Sequence, residues 1–487
     1  MLTNKSFYPF LFIIFYLLSN TIEVREIISF AYFFSTLSFC LTALLLLAAC
    51  CYPFYKSWKK CFLFAFAFLF FYLQYGSIHE SLLSIKVIKA IAHHTVLIII
   101  TFILLSACFI IIKKLKINEK LILTLNIIYV FLTLFILTKL IYLSFVKKEL
   151  SVQVPAWVNT QCDTCRKPDI YLLVYDEYAS SISLKRRFNF DNSFLDSFLL
   201  AEKFHIQTNS SSNYNATDCS MLSFFSADYL SYFKTKNYYT KEERIDVLND
   251  LKKTNFINYL QNNQYNIYNY SIFSLLKNDT QTESSPIFTS HLLLAKALHF
   301  KLLHDAGSII IKYKLYRNIL RRPFYRQRDQ MELLKNNFLN KINNTKENNS
   351  PSFYYLHQLS PHDPFYYDRN DNDATFNLPV TEQEKTQAYL EYVQYCNKKI
   401  VEIITQIKKI SDNNAVIIFM GDHGYRMNLP AVNNKEHFAN QNAIYFPDKD
   451  YNLLYDSMSN VNISRVLLNK YFNMGLPLLK DSSIYIK

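Results

Sequence analysis

The sequence predicts two architectures in one chain: an α-helical membrane domain of five transmembrane helices, then an α/β domain with a mainly parallel central sheet. Three observations predict it. Five apolar runs, each near the roughly 20 residues that a bilayer crossing needs, crowd into the first third of the chain. From Asp169 onward, short apolar runs alternate with helical stretches instead. The net charge of +13 is also unevenly placed, with +9 in residues 1–150 and +4 in residues 151–487. Basicity confined to the hydrophobic third argues against a nucleic-acid partner. A hydrophobic content of 51% excludes a disordered chain.

The membrane domain is expected over residues 1–148, with spans at about 7–24, 27–55, 61–78, 95–112 and 121–146. No small-residue cleavage site follows the first run, so it reads as a retained span rather than a signal peptide. Lysines orient the set. Lys5, the group Lys56, Lys59 and Lys60, and the group Lys113, Lys114, Lys116 and Lys120 fall in alternate loops, which are therefore expected to be cytoplasmic. The other loops carry only Arg25, Lys86 and Lys89, so the N-terminus is expected inside and the chain beyond span five outside. Lys139 sits near the outer end of span five, where a lysine snorkels. His93 and His94 read as an interfacial loop before span four, and Cys40, Cys50, Cys51, Cys61 and Cys108 as small apolar residues of the spans.

A linker, 149–168, contains Cys162-Asp-Thr-Cys165, which reads as a local disulfide or free thiols rather than a redox centre. Cys219 and Cys396 complete the outer cysteines. The α/β domain is expected over 169–487, with strands in 169–177, 352–360, 414–424 and 442–447. Such near-continuous apolar runs suit buried parallel strands, and chemistry in these sheets gathers at the strands' carboxyl ends. Asp176 and Glu177 end the first run, His357 and His362 lie around the end of the second, and Asp422 and His423 follow the third. Between them, 291–306 reads as an apolar helix, the basic stretch 312–328 as a solvated helix face or a membrane-surface segment, and the Asn-rich 336–352 as a surface loop.

The sharpest motif is Gly421-Asp422-His423-Gly424. Only five glycines occur in the chain, and two of them flank this one pair. A carboxylate beside an imidazole is half of a divalent-metal site, and glycine allows the tight turn that aims both at one ion. Upstream, the loop around Thr217 offers hydroxyls from Ser212, Thr217, Ser220 and Ser223. A hydroxyl near a divalent cation is a usable nucleophile at neutral pH.

These segments together resemble the alkaline phosphatase and sulfatase superfamily, and within it the membrane-anchored phosphoethanolamine and phosphoglycerol transferases of bacterial envelopes. The resemblance covers about 168–487 and implies an alkaline phosphatase-like fold. PDIYLLVYDEYAS resembles the first strand and its metal ligand, which implies Asp176. NYNATDCSMLSFFS resembles the nucleophile loop, implying Thr217 as nucleophile and metal-facing hydroxyl, and IIFMGDHGYR resembles the late metal motif, implying Asp422 and His423. HQLSPHDPF resembles a histidine pair in which His362 contacts the substrate phosphate or a second ion, with His357 behind it; His437 stands for a further histidine beyond the metal motif. His362 and His437 are thus expected in catalysis and, with His357 and Arg426, at the substrate.

The resemblance implies a divalent cofactor, Zn2+ before Mn2+, with one ion and room for a second. It implies a phosphoryl-linked headgroup moved from a membrane lipid donor to an envelope glycan or lipid acceptor through a phospho-threonine. The expected location is the bacterial inner membrane, with the catalytic domain periplasmic. A metal-dependent phosphatase or phosphodiesterase, and a non-catalytic envelope-assembly module, are the alternatives. Two departures stand out. Cys219-Ser-Met-Leu-Ser lacks the C/S-x-P-x-R pattern of formylglycine sulfatases, and Asp176-Glu177 replaces the glycine-glutamate step of the phosphoethanolamine transferases.

Overall fold

A strand that is apolar at every position can be covered on both faces, and β1 (Ile170–Tyr175) is buried from end to end. It lies at the centre of the second of two compact units into which the chain divides. The first unit comprises Met1–Glu149 with Phe288–Tyr313, and the second Leu150–Ile287 with Lys314–Lys487. The computed structural model describes residues 5–24, 30–85, 92–145, 154–233, 238, 241–276, 292–302, 321–344, 350–375, 379, 381–426 and 435–486.

In the first unit the apolar runs form helices α1 (Tyr8–Val24), α2 (Phe30–Tyr55), α3 (Trp58–Ser84), α4 (His94–Lys114) and α5 (Glu119–Phe145). Helices α2 to α5 are long and apolar enough to cross a membrane; α1 is apolar but shorter, over Tyr8–Ile22. The beginning of span two at 27, the end of span five at 146, and Arg25, Lys86 and Lys89 lie outside the described residues. One buried polar residue has a clear task here: Asn126 of α5 accepts the Phe7 and Tyr8 amides at 3.0 and 2.8 Å. It thereby supplies the start of α1 with partners that an apolar surrounding cannot. Lys139 is exposed.

This unit also holds residues 292–302. They form a short 3-10 turn, Leu292–Leu294, and a single helical turn at 298–302 rather than a continuous apolar helix. Residues 291 and 303–306 of that expected helix lie outside the described residues, as does the basic stretch up to Leu320.

The second unit runs α6 (Ser181–Phe188), α7 (Ser193–Ala201), β2 (His205–Ile206), α8 (Thr217–Ser226), α9 (Lys241–Asp250), α10 (Asn255–Asn262) and β3 (Asn266–Tyr270) after β1. Then come α11 (Arg321–Asn344), β4 (Ser352–Gln358), α12 (Glu382–Ile410), β5 (Val416–Gly421), β6 (Asn442–Tyr445) and α13 (Asn460–Phe472). The six strands order as β2-β6-β5-β1-β4-β3. Strands β3, β4, β1 and β5 are parallel, whereas β6 runs antiparallel to β5, unlike the parallel arrangement its apolar sequence suggested. Alternate residues of β1 face two cores. Ile170, Leu172 and Val174 pack with Phe225 of α8 and Val466 of α13, and Tyr171, Leu173 and Tyr175 with Phe338 of α11 and Ile404 of α12.

The Asn-rich segment is not a loop over its first part: α11 continues through Asn344, and 345–349 lie outside the described residues. Leu334, Phe338 and Ile342, spaced four apart, are buried in the core, and that stripe outweighs the asparagines between them. Cys162 and Cys165 form a disulfide, while Cys219 and Cys396 are free and buried.

Candidate active site

Register brings the chemistry together. Tyr175, the last residue of β1, pairs with Gln358 of β4 on one side and Gly421 of β5 on the other. The next residues, Asp176 and Asp422, therefore leave the sheet at the same level, and His357 on β4 is paired with Val174 just below. Thr217 is the first helical residue of α8, so its hydroxyl lies where the free amides of a helix N-terminus favour negative charge.

These side chains converge. His423 Nε2 lies 3.4 Å from Asp176 Oδ1, 3.3 Å from Asp422 Oδ2 and 3.3 Å from Thr217 Oγ1. Its Nδ1 is 2.8 Å from Gly424 O, a carbonyl that can only accept, so Nδ1 carries the proton and Nε2 points its lone pair into the cluster. Asp422 Oδ1 accepts the Glu177 and His423 amides, both at 2.9 Å, while Oδ2 has no partner. Asp176 Oδ1 and His357 Nε2 are likewise buried and unpartnered. Asp176, His357 and Asp422 offer ligand atoms that all lie within 4.8 Å of one another.

The competing hydroxyls are occupied elsewhere. Ser212 Oγ donates to Tyr214 O at 2.8 Å, Ser220 Oγ to Asp422 O at 2.6 Å and Ser223 Oγ to Asp228 O at 2.8 Å. Among the four candidates, only Thr217 turns its oxygen toward the acidic cluster. Cys219 is fully buried in the hydrophobic core.

Electrostatics separates the imidazoles. Burial lowers His357 to about 4, and burial together with Arg426 takes His423 well below its usual range, so both are neutral and suited to ligation. For His362 burial acts the same way, but Asp176, Glu177 and Asp363 outweigh it and hold its pKa up at about 9. Burial and the adjacent Asp176 push Asp422 well above the carboxylate range. Burial acts on Asp176 in the same direction, but His362, His423, Arg426 and His357 outweigh it and hold its carboxyl below the usual range, so the two neighbouring acids are driven apart.

Around this cluster stands a second set. His362 Nε2 is 3.7 Å from Glu177 Oε2, and its amide donates to Asp176 O at 3.2 Å. Glu177 has a positive φ of 62°, and its Oε1 accepts the Arg426 amide at 2.5 Å. The Arg426 guanidinium donates to Asn215 O at 2.9 Å, two residues before Thr217. His437 is buried; its carbonyl accepts the Gly424 amide at 3.0 Å and its ring meets Tyr485 edge-on.

Three features were not legible in the motifs. His357 joins the ligand cluster instead of lying behind His362, because β4 aims it inward from the pairing with Val174. Tyr355, two residues earlier on the same strand face, shares a 2.6 Å hydrogen bond with His357 Nδ1 and fixes the ring; that i, i+2 spacing was the available signal. The flanking glycines act by close approach rather than by an unusual turn. A Cβ on Gly421 would lie 2.4 Å from Tyr178 O, and one on Gly424 2.0 Å from Glu436 O.

The sulfatase family model matches residues 183–462, more than half of the chain. The chain belongs to the sulfatase family. Three solved structures are among those similar to it. The C-terminal periplasmic domain of phosphoethanolamine transferase EptC from Campylobacter jejuni is 15% identical, with 64% of this chain and 92% of that chain covered at a TM-score of 0.40. The soluble domain of lipooligosaccharide phosphoethanolamine transferase A from Neisseria meningitidis is 13% identical, covering 63% and 91% at 0.37. The phosphonate monoester hydrolase of Agrobacterium radiobacter is 12% identical, covering 63% and 74% at 0.38. No curated protein matches the chain.

Proposed function

We propose that this sulfatase-like enzyme is a metal-dependent transferase that moves a phosphoryl-linked headgroup, of phosphoethanolamine or phosphoglycerol type, from a membrane lipid to an envelope acceptor. The observation that carries the reading is the meeting of Thr217 Oγ1 with the buried, unpartnered atoms of Asp176, Asp422 and His357 around His423. Buried carboxylates without partners are costly, and a divalent cation fits a donor set of two carboxylates, neutral imidazoles and a hydroxyl. Asp176, Asp422, His423, His357 and Thr217 would hold it, with Zn2+ ahead of Mn2+ for this mixed nitrogen and oxygen set. Bound there, the cation supplies positive charge that lowers the pKa of the threonine hydroxyl and offsets charge on the phosphoryl group.

The protein groups then divide the work. Thr217 Oγ1 attacks phosphorus in line; the bond from phosphorus to the lipid oxygen breaks as the phospho-threonine bond forms. Arg426, anchored on Asn215 O beside the nucleophile, and His362 on the rim contact the phosphoryl oxygens. His437 joins His362 in this reading as a group for the phosphoryl oxygens or as acid or base. An acceptor hydroxyl resolves the intermediate; water in its place would make the same site a hydrolase. A formylglycine mechanism has no support, since Cys219 is in the core. The apolar helices and their lysine bias support an inner-membrane protein with its N-terminus cytoplasmic and its catalytic unit periplasmic.

The test is mass spectrometry of the full-length protein incubated with phosphatidylethanolamine or phosphatidylglycerol vesicles, wild type against Thr217→Ala. The expected result is diacylglycerol release that a chelator stops and a headgroup adduct on Thr217. Release of inorganic phosphate from simple monoesters without any adduct from lipid would replace the transferase by a phosphatase. No turnover and no bound metal would sink the enzymatic reading.

A further inference from the structure

The helical unit takes one segment from between β3 and α11, and that segment has no part in the chemistry above. It is fastened at defined points. The Gly76 amide donates to Lys296 O at 2.7 Å, and a Cβ at Gly76 would lie 2.8 Å from that oxygen and 2.9 Å from Lys296 Cα. One of only five glycines thus lets backbone meet backbone. Asn20 donates to Leu293 O at 2.9 Å, and Leu293, Leu294 and Ala297 are buried in the helical core. The Tyr72 hydroxyl meets His299 Nδ1 at 2.5 Å with the rings stacked, and Lys301 lies 3.3 Å from Glu80.

This fastening leaves two donors over. Lys296 is half-buried and has no ion-pair partner among the described residues. His299, also half-buried, has no partner for Nε2 among the described residues. They are three positions apart, beside the stretch of α3 from Tyr72 to Glu80, about 12 Å of helix. The same stretch carries Tyr75 and His79, which stack with His94 of α4 at ring distances of 6.0 and 4.2 Å. Tyrosine is enriched at the level where apolar helices meet the headgroups.

A cation half-buried against apolar helices without a counter-charge is unfavourable, and an anion at that level would relieve it. Beside helices long enough to cross a membrane, the abundant anion is the phosphate diester of a phospholipid. We infer that Lys296 and His299 form a binding site for that phosphate, built on α3 by the inserted segment. The site deepens the lipid-donor reading and depends on it for its purpose, and the experiment separates the two.

Full-length Thr217→Ala protein, which needs no turnover, is loaded in nanodiscs containing phosphatidylethanolamine or phosphatidylglycerol, or in nanodiscs supplemented with diacylglycerol. Lipid retained after extraction is counted by native mass spectrometry. The expected result is retention of the phospholipid over diacylglycerol, no displacement by excess inorganic phosphate, and about a tenfold loss when Lys296→Ala and His299→Ala are added. Lys296→Arg keeps the charge and is expected to retain lipid, which excludes misfolding as the cause; Lys296→Gln, close in shape, serves should the double variant not fold. Equal retention in Lys296→Gln or in the double variant, or equal retention of diacylglycerol, or displacement by inorganic phosphate, overturns the site. In parallel, protein with Thr217 intact that retains phospholipid yet never cleaves it leaves the site standing and overturns the donor reading.

Discussion

Replacing Asp422 by asparagine tests the acidic cluster at its most buried member. Asp422 Oδ1 accepts two amides, and an asparagine oxygen would keep both. The other oxygen, Oδ2, has no partner, and Asp176 Oδ1 nearby is an acceptor; an asparagine NH2 is uncharged beside it. With the ligand atoms within 4.8 Å, two ionised carboxylates would repel by about 3 kcal/mol or more at an effective dielectric near 20, a cost that drives Asp422 toward its protonated form in the metal-free wild type. The metal-free variant is therefore expected to be more stable than the metal-free wild type, by up to that amount. Cation reverses the order: at one hundred times its Kd it adds about 2.7 kcal/mol to a protein that binds it, and the variant gains little. The assay is thermal unfolding of the full-length protein in detergent, followed by intrinsic fluorescence, with chelator and then with Zn2+. The curves should cross, several degrees apart in opposite directions. Equal response of both proteins to cation, or a metal-free Asp422→Asn protein that melts below the metal-free wild type, would refute the reasoning.

Thr217→Ala should lower turnover by at least about a thousandfold with the fold intact, and Thr217→Ser should retain part of it, since only the hydroxyl reacts; adduct mass on the serine variant checks this. Ser220→Ala removes the hydrogen bond to Asp422 O and should cost about 1–2 kcal/mol of stability with a much smaller loss of turnover than Thr217→Ala. The reverse ranking would make Ser220 the nucleophile. Gly424→Ala forces a Cβ to within 2.0 Å of Glu436 O, and should destabilise by about 1–3 kcal/mol or more while weakening cation binding, measured by calorimetric titration. Phe338→Ala should cost about 3–5 kcal/mol in chemical unfolding, because this residue of the asparagine-rich segment is in the core.

The apolar runs were enough to place β1, β4, β5 and β6, and the motif residues at their ends do meet at one sheet edge. Strand direction was not legible in the same way: β6 is as buried as its neighbours, and antiparallel and parallel strands covered on both faces share one composition. Strand β3 escaped notice because Asn266-Ile-Tyr-Asn-Tyr270 mixes polar and aromatic residues, with Asn269 buried and bonded to Phe273 O. The resemblance pointed to Thr217, but residue type alone did not separate it from Ser220, since both belong to the same helix and differ in which group their hydroxyls reach. The segment 292–302 reads locally as part of an apolar helix; its place in the helical unit depends on Gly76 and Asn20, more than two hundred positions away.

That insertion bears on how the protein can be handled. Cutting the chain at residue 150 to obtain a water-soluble enzyme removes the helices but not their guest. Leu293, Leu294 and Ala297, none more than 9% exposed in the intact chain, would then face water as a sticky patch in the middle of the truncated sequence, inviting aggregation. A shortened protein that also replaces 288–313 with a short polar link between the flanking parts should be the one that stays in solution.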